Sequence, residues 1–245
     1  MSETSFLVVT ALAEERAAVE RALRRRTWHP TAPGRYELGH RRIALACTGP
    51  GASAARLSAD EALDANESPR GLLGVGLCGA LSPSLEAGDL VVADRVQNVA
   101  VPGEDTRLEA PLRGPEELSG VIACSSRLIN EPEERASLWR EIDAPLRAAV
   151  DLESFAWAQA ALEHQVPWAI VRSVSDGASD PLPRAVVAAM SESGAVDRTK
   201  VLGHVLRHPT EIAALLRLGR RARRAADRAA DFALAWVEKG WEQGW

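Results

Sequence analysis

Short apolar runs alternate with longer stretches in which apolar positions recur at helical spacing. The runs are typical of buried strands, and the second pattern is typical of helices that pack one face on a core. The runs predict strands at Phe6–Thr10, Tyr36–Leu38, Arg42–Cys47, Gly71–Gly76, Asp89–Ala93, Val121–Cys124 and Trp168–Val174. The amphipathic stretches predict helices at Ala13–Arg26, Ala52–Asn66, Glu131–Arg140 and Leu152–His164, with further helix after the last strand. This alternation favours an α/β fold with helices on both faces of a central sheet.

The chain has no internal repeat and no low-complexity linker, which favours a single domain over residues 1–245. We expect the helical segment from about residue 184 to extend that domain at its C-terminal end. The stretch Val101–Gly114 is polar and contains proline and glycine, so we predict a mobile loop there.

Composition and charge are those of an ordinary globular protein. Of the 245 residues, 46% are hydrophobic and 26% are charged, and the net charge of −5 gives no reason to expect nucleic acid as a partner. Cys47, Cys78 and Cys124 are odd in number and widely spaced, which favours a reducing compartment without disulfides or a zinc site. The start of the chain lacks a basic leader and no apolar run reaches the length of a membrane span, so we expect a cytoplasmic protein.

Two acids flank one predicted helix–strand unit. Glu153 opens an Ala-rich helix, and Asp176 follows the apolar run WAIVRSV. Ligands of parallel α/β sheets lie beyond the carboxyl ends of the strands, so Asp176 is a candidate for chemistry. Two plainer interpretations stay open: Asp176 caps the turn DGASDPLP, and Glu153 stabilises the N-terminus of its helix.

Four segments together resemble the purine nucleoside phosphorylase and methylthioadenosine/S-adenosylhomocysteine nucleosidase superfamily. They are VVTALAEE at 8–15, ACTGPG at 46–51, GVGLCGALSPSLEAGDLVVAD at 74–94, and VDLES followed by VPWAIVRSVSD, which ends at Asp176. The resemblance implies a three-layer α/β/α fold of the nucleoside phosphorylase type, with a central mixed sheet. Residues 182–226 are similar to the tail of the hopanoid-associated phosphorylase branch, which is associated with removal of adenine from adenosylhopane.

The catalytic pattern of the superfamily implies roles for three acids of this chain. Asp176 would donate a proton to the leaving purine, and Glu153 would bind the ribose hydroxyls and stabilise the developing cation. Glu15 would hold the attacking water, whereas we expect Glu14 to be an exposed acid at a helix start. Ser175 would orient Asp176 or hold a water. General acid–base help of this kind is worth roughly 10²–10⁴-fold in rate.

Further residues are expected to bind the substrate. The closely spaced glycines of GVGLCGAL let a ligand approach the backbone, which makes Cys78 and Gly79 candidates for the site. We expect Cys78 to be a small packed residue rather than a nucleophile. The resemblance implies that Leu152 forms an apolar floor under the sugar, and that Leu128 and Ile129 hold the purine. Relatives usually carry an aromatic residue at the place of Leu128.

The resemblance favours hydrolysis over phosphorolysis. Hexameric phosphorylases carry an arginine where this chain has Gly74 and a serine where it has Leu77, and the loop TALAEER lacks their Gly-Asp-Pro-type phosphate turn. An acid in that loop would repel phosphate but could activate water. Three arginines remain as possible phosphate ligands, although each is expected to be a surface or interface charge. They are Arg16, Arg56 and Arg172.

The C-terminal segment combines arginines with leucines, alanines and tryptophans. These basic and aromatic residues are Arg217, Arg220, Arg221, Arg223, Arg224, Arg228, Trp236, Trp241 and Trp245. A basic amphipathic helix of this kind could lie on an anionic membrane surface, but the plainer interpretation is a helix that closes the domain with a solvated arginine face. His204 and His208 have helical spacing, but Pro209 is expected to end that helix, so no metal site is predicted.

The sequence and its resemblance therefore predict a nucleosidase that releases adenine from adenosylhopane or another 5′-substituted adenosine, without a metal or organic cofactor. The alternatives are a phosphate-dependent purine nucleoside phosphorylase, a methylthioadenosine/S-adenosylhomocysteine nucleosidase, and a non-catalytic nucleoside- or lipid-binding protein on the same scaffold. Because relatives usually form dimers or hexamers, we expect a homo-oligomer.

Overall fold

The computed structural model describes residues 4–66, 69–100, 106–142, 147–189 and 212–243. Within these ranges one mixed sheet contains the strands β1 (Thr4–Thr10), β2 (His29–Ala32), β3 (Arg35–Leu38), β4 (Arg41–Cys47), β5 (Gly71–Ala80), β6 (Leu90–Asn98), β7 (Thr106–Glu109), β8 (Ser119–Cys124), β9 (Ala148–Asp151) and β10 (Trp168–Asp176). The helices are α1 (Ala13–Arg25), α2 (Ala52–Asp64), α3 (Pro132–Glu141), α4 (Ser154–Glu163), α5 (Arg184–Ala189) and α6 (Ile212–Gln243), with a short 3₁₀ turn at Glu116–Leu118.

Part of the sheet closes on itself in the order β10-β6-β8-β9-β5 and back to β10. From β5 the sheet continues through β1 and β4 to β3 and β2, and β7 pairs with β6 at the side. β5 and β10 run parallel, and their pairing extends to Asp176 opposite Gly79. β1 runs parallel to β5 on the other side of that strand. The carboxyl ends of these three strands therefore lie at the same edge of the sheet.

Helices cover both faces of the sheet, as the side chains of β1 illustrate. Leu7 and Val9 pack in a cluster with α2 and α4, whereas Phe6 and Val8 pack in another with α1 and α6. Successive side chains of a strand point to opposite faces, so the two pairs of helices lie on opposite sides. The predicted α/β architecture with a central mixed sheet is confirmed.

The alternation of strands and helices is predicted well, but some elements differ in extent or were missed. The stretch predicted as a loop at Val101–Gly114 contains β7, which pairs antiparallel with β6, so that prediction is wrong for residues 106–109; residues 101–105 lie outside the described part. β2 and β9 were not predicted. β2 is exposed along its whole length, and β9 has the sequence AAVD, so neither shows the apolar run of a typical buried strand.

α6 packs on α1 and on β5 and β10, and its C-terminal half is largely buried. Trp236 is only 8% exposed and belongs to the same core cluster as α1, so it is not available to a membrane surface. In the part of the chain that the structure describes, no helix has both the length and the apolar character needed to cross a membrane. His204, His208 and Trp245 lie outside the described residues.

Candidate active site

A cavity of about 270 Å³ lies where the carboxyl ends of β1, β5 and β10 meet the start of α4. All the residues predicted to form a site line it, although they come from distant parts of the chain. They are Glu15, Cys78, Gly79, Leu128, Ile129, Leu152, Glu153, Ser175 and Asp176. The fold thus brings together in one volume the acids and the substrate-binding residues that the sequence could only suggest separately.

Backbone amides fix the buried carboxylate of Glu15. Its Oε2 accepts hydrogen bonds from the amides of Ala11 and Leu12, both at 2.9 Å, and its Oε1 accepts one from the amide of Leu77 at 2.8 Å. Glu15 is the third residue of α1, a position from which a glutamate reaches back to the amide at the N-cap. Burial raises the pKa of Glu15 above its ordinary value. Its neighbour Glu14 is exposed and does not line the cavity.

Glu153 occupies the N-cap position of α4, but its side chain makes no capping hydrogen bond. Its Oε1 accepts a hydrogen bond from the amide of Gly51 at 2.8 Å, and its Oε2 lies 3.5 Å from Nη2 of Arg172. Burial raises the pKa of Glu153 to about 7, with Arg172 opposing the rise and Asp151 adding to it. The start of α4 therefore fixes the backbone position of Glu153, while its side chain lines the cavity.

Arg172 joins the acids of this part of the site. The expectation that it is a surface or interface charge is wrong, because the residue is fully buried in β10. Its Nη2 forms ion pairs with Asp151 and Glu153, and its Nη1 lies 4.0 Å from Oε1 of Glu15. The guanidinium also lies over the ring of Trp157, 4.6 Å from the ring centre. A buried charge is tolerated only with such partners, so the arginine and the three carboxylates form one unit.

Two glycines of β5 let these charged groups approach the backbone. A methyl group at Gly76 would lie 2.5 Å from Oε1 of Glu15, which is closer than a Cβ atom can come to an oxygen. A methyl group at Gly79 would lie 3.2 Å from Oδ2 of Asp176 and 3.3 Å from Nη2 of Arg135. The spacing of glycines in GVGLCGAL thus makes room for both polar clusters of the site.

The second cluster surrounds Asp176 at the end of β10. Its Oδ2 forms an ion pair with Nη2 of Arg135 at 2.5 Å, and its Oδ1 accepts a hydrogen bond from the hydroxyl of Ser175. The same hydroxyl lies 3.1 Å from the carbonyl oxygen of Cys78. These contacts connect Asp176 to α3 and β5, whereas capping of the following turn would have directed its side chain to the backbone after Gly177.

Arg135 is the residue of this cluster that the sequence analysis misses. It is 1% exposed, and besides Asp176 it donates hydrogen bonds to the carbonyl oxygens of Ile129 at 2.9 Å and Gly177 at 2.8 Å. It lies in α3, whose sequence PEERASLWRE is rich in charge, so nothing local distinguishes it from a surface arginine. Arg172 did carry a signal, because a charge inside an apolar strand must have buried partners.

The remaining wall of the cavity is mostly apolar. Burial raises the pKa of Cys78 well above its ordinary value, which argues against a thiolate nucleophile and agrees with a packed residue. Apolar side chains come from both halves of the chain: Leu12, Leu77, Leu128, Ile129, Leu152, Leu182, Val186 and Leu218. The last three belong to the segment that follows β10.

The structure also resembles known enzymes. A nucleosidase for 5′-methylthioadenosine/S-adenosyl homocysteine from Helicobacter pylori superposes with a TM-score of 0.68 at 16% identity, covering 98% of this chain and 100% of that chain. Futalosine hydrolase of the same organism superposes with a TM-score of 0.67 at 16% identity, covering 97% of this chain and 98% of that chain. A putative 5′-methylthioadenosine/S-adenosylhomocysteine nucleosidase from Francisella philomiragia superposes with a TM-score of 0.68 at 17% identity, covering 96% of this chain and 99% of that chain. At such identities the likeness concerns the fold.

Sequence comparison gives the family. No curated protein sequence matches this chain. The model of the phosphorylase superfamily matches residues 5–117 and 107–207, which include every residue predicted for the site. This match covers most of the length of the chain, so the chain belongs to the phosphorylase superfamily.

Proposed function

We propose that this protein hydrolyses the N-glycosidic bond of a 5′-substituted adenosine and releases adenine. The main support for the proposal is that Glu15, Glu153 and Asp176 meet in one cavity whose remaining wall is mostly apolar. Three acids at separate points can serve the leaving group, the sugar and the attacking water, which are the three needs of this reaction. The structural neighbours from Helicobacter pylori, a nucleosidase and a hydrolase by name, support the same class of chemistry.

Asp176 serves the leaving group in this proposal. Asp176 takes up a proton from solvent as the purine binds. As the bond between C1′ and N9 breaks, its electron pair moves into the purine, and Asp176 passes that proton to N7. Transfer leaves a carboxylate, which the ion pair with Arg135 stabilises. Ser175 holds the other carboxyl oxygen and so helps to set the direction of the acid. Arg135 is therefore a positioning residue that acts through Asp176.

Glu153 serves the sugar. Ribose carries two hydroxyls that a carboxylate can accept as hydrogen bonds, and the ring gains positive charge as the purine departs. An ionised glutamate at this buried position stabilises that charge. Gly51 and Arg172 hold its oxygens in place, so little reorganisation is needed during the reaction.

Glu15 serves the water. A carboxylate offers about four acceptor positions, and the three backbone amides on Glu15 occupy three of them. Nη1 of Arg172 is buried without a hydrogen-bond partner among the described residues and lies 4.0 Å from Oε1 of Glu15. That separation suits a bridging water. Such a water would attack C1′ and lose a proton to Glu15.

Hydrolysis is favoured over phosphorolysis because the cations near the site are already neutralised. Arg172 is surrounded by three carboxylates, which would repel a phosphate dianion. Arg16 pairs with Glu20 at 3.0 Å and Arg56 pairs with Asp60 at 2.8 Å, and neither arginine lines the cavity. Two arginines do line the cavity, but Arg127 pairs with Glu134 and Arg135 pairs with Asp176. Each arginine of the described wall therefore already has a carboxylate partner, which disfavours the binding of a phosphate dianion.

Within this class we propose adenosylhopane as the substrate. The segment after β10 adds Leu182, Val186 and Leu218 to the wall, so an apolar 5′ group would find apolar contacts there. The cavity of about 270 Å³ is small beside the roughly 300–1,000 Å³ of sites that enclose a whole drug-sized ligand. A hopane skeleton would therefore extend out of the cavity along α5 and α6, with only the nucleoside enclosed.

The raised pKa of Glu153 predicts a pH dependence. Its role requires the carboxylate, so kcat/KM should rise with pH through about 7, where this group ionises. The stability of the folded state changes with pH in the opposite direction. Because the pKa of Glu153 is raised from 4.5 to about 7, this group contributes stability that is present below about pH 4.5 and is lost as the pH rises to about 7. We expect Glu153→Gln to be much less active and to lack the rise near pH 7. A wild-type profile that is flat from about pH 5 to about pH 8 would exclude this role for Glu153.

Adenine release from adenosylhopane and from methylthioadenosine, each with and without phosphate, tests the function. We expect release from adenosylhopane without phosphate, and slower release from methylthioadenosine. Faster release from methylthioadenosine would place the protein with the general nucleosidases, and strict dependence on phosphate would reject hydrolysis. No release from either substrate by a folded protein would favour a binding protein on the same scaffold.

A further inference from the structure

The N-terminal part of α6 presents five arginines on one exposed face. They follow the spacing i, i+3, i+4, i+7 and i+11, which places them along one side of a helix. This arginine face consists of Arg217, Arg220, Arg221, Arg224 and Arg228, all of them exposed. The proposed reaction uses none of them, and none of them lines the candidate active site.

The charges on two sides of α6 have different partners. On the side that packs on α1, Asp227, Asp231 and Glu238 pair with arginines of α1 and its C-cap, at 2.7 Å, 2.8 Å and 2.6 Å. On the arginine face, among the described residues, one ion pair is found, between Arg221 and Asp180 at 3.6 Å, and both of its side chains are more than half exposed. The excess positive charge is therefore local to the arginine face of the helix, in a protein whose net charge is −5.

A groove of about 680 Å³ runs beside this face. Arg221, Arg224 and Arg228 form one side of it, and the loops at residues 83–88 and 177–180 form the other. Glu86 and Asp180 also line the groove, so the three arginines exceed its acids by one. A space of this size and charge suits the phosphate of a lipid headgroup.

Apolar side chains complete the surface. Leu216, one residue before the arginine face, is 58% exposed, and Val187 on α5 is 39% exposed. Their neighbours Val186 and Leu218 line the candidate active site. The same turns of α5 and α6 thus carry the wall of the cavity on one side and a basic surface with exposed apolar residues on the other. That combination is typical of helices that lie in a membrane interface, which adds apolar contact to electrostatic attraction.

We infer that the arginine face of α6 docks on an anionic phospholipid bilayer, with Leu216 and Val187 at the headgroup boundary. A nucleic acid would also attract arginines, but it would gain nothing from the exposed leucine and valine. The inference rests on the surface alone and stands independently of the reaction proposed above.

Flotation of the full chain with vesicles tests the proposed membrane docking directly. We expect binding to vesicles of equimolar phosphatidylglycerol and phosphatidylcholine, weak binding to phosphatidylcholine alone, and loss of binding as salt rises from about 50 mM to about 500 mM. The triple variant R217Q/R220Q/R224Q should bind the anionic vesicles about a hundredfold more weakly, since each basic residue near a charged surface contributes roughly fivefold.

The matched control is R24Q/R42Q/R140Q, which removes the same charge from exposed arginines on α1, β4 and α3. It should bind nearly as the wild type does, and the unchanged thermal unfolding of both triple variants would show that folding is intact. Equal weakening in the two triple variants would reduce the effect to net charge and overturn the proposal. Competition by millimolar inorganic phosphate would also overturn the proposal, because it would indicate a soluble ligand. Tighter binding to duplex DNA than to the vesicles would overturn it as well. No nucleoside is present, so the outcome does not depend on adenine release.

Discussion

Replacement of Asp176 by asparagine should lower kcat for adenine release by roughly 10²–10⁴-fold, which is the usual contribution of a general acid. The amide keeps the size of the side chain but cannot give up a proton to the purine. It also leaves Arg135 buried without its counter-charge, so the folded fraction of the variant must be measured alongside its rate. Single-turnover measurement of adenine release would separate the chemical step from substrate binding.

Asp180→Asn is the matched control for this prediction. Asp180 lies four residues further along the chain, is exposed, and pairs with Arg221 outside the cavity. We expect its rate to stay within a factor of about two of the wild type, since exposed ion pairs contribute little. If Asp176→Asn kept the wild-type rate while remaining folded, the leaving purine would have to be protonated by another group.

Replacement of Arg172 by glutamine should destabilise the protein by about 3–5 kcal/mol, which is typical when one partner of a buried ion pair is removed. Three carboxylates, of Glu15, Asp151 and Glu153, would then share a buried volume without a cation. Urea unfolding near neutral pH measures the loss. The loss should shrink at lower pH, because the carboxylates can then take up protons and relieve their repulsion.

Arg56→Gln provides the comparison. Arg56 also contacts two acids, Asp60 and Glu163, but at the surface, where such pairs contribute about 0–1 kcal/mol. Comparable losses of unfolding free energy in the two variants would mean that the buried network stabilises the protein no more than a surface ion pair does. In that case Arg172 would not be the cation that holds the three buried carboxylates together.

The elements that position the site could largely be predicted from local patterns. The run before Asp176 is a strand, the stretch after Glu153 is a helix, and glycines follow the start of β5, because each of these features depends on neighbouring residues. Elements without a pronounced pattern are not predicted, such as β7, in which three of the four residues are polar and two are exposed. The single domain, the homo-oligomer and the cytoplasmic location stay predictions.

The partners of the two buried arginines could not be predicted in the same way. The sequence predicts a surface charge at Arg172 because its neighbours along the chain do not show which acids it meets, and no local pattern distinguishes Arg135. Both depend on which segments share a buried volume: α3 with the end of β10, and β10 with the starts of α1 and α4. Burial then turns these contacts from weak surface pairs into strongly coupled ones.

The sequence by itself therefore determined most of the elements, the order in which these occur and the acids that stand at their ends, since hydrophobic periodicity and residue type are local properties. Only the tertiary structure decided that Glu15, Glu153 and Asp176 face one cavity, that Arg172 and Arg135 neutralise them, and that the arginines of α6 remain at the surface. The physical reason is that charge pairing and desolvation depend on distances through space, which the spacing of residues along the chain does not contain.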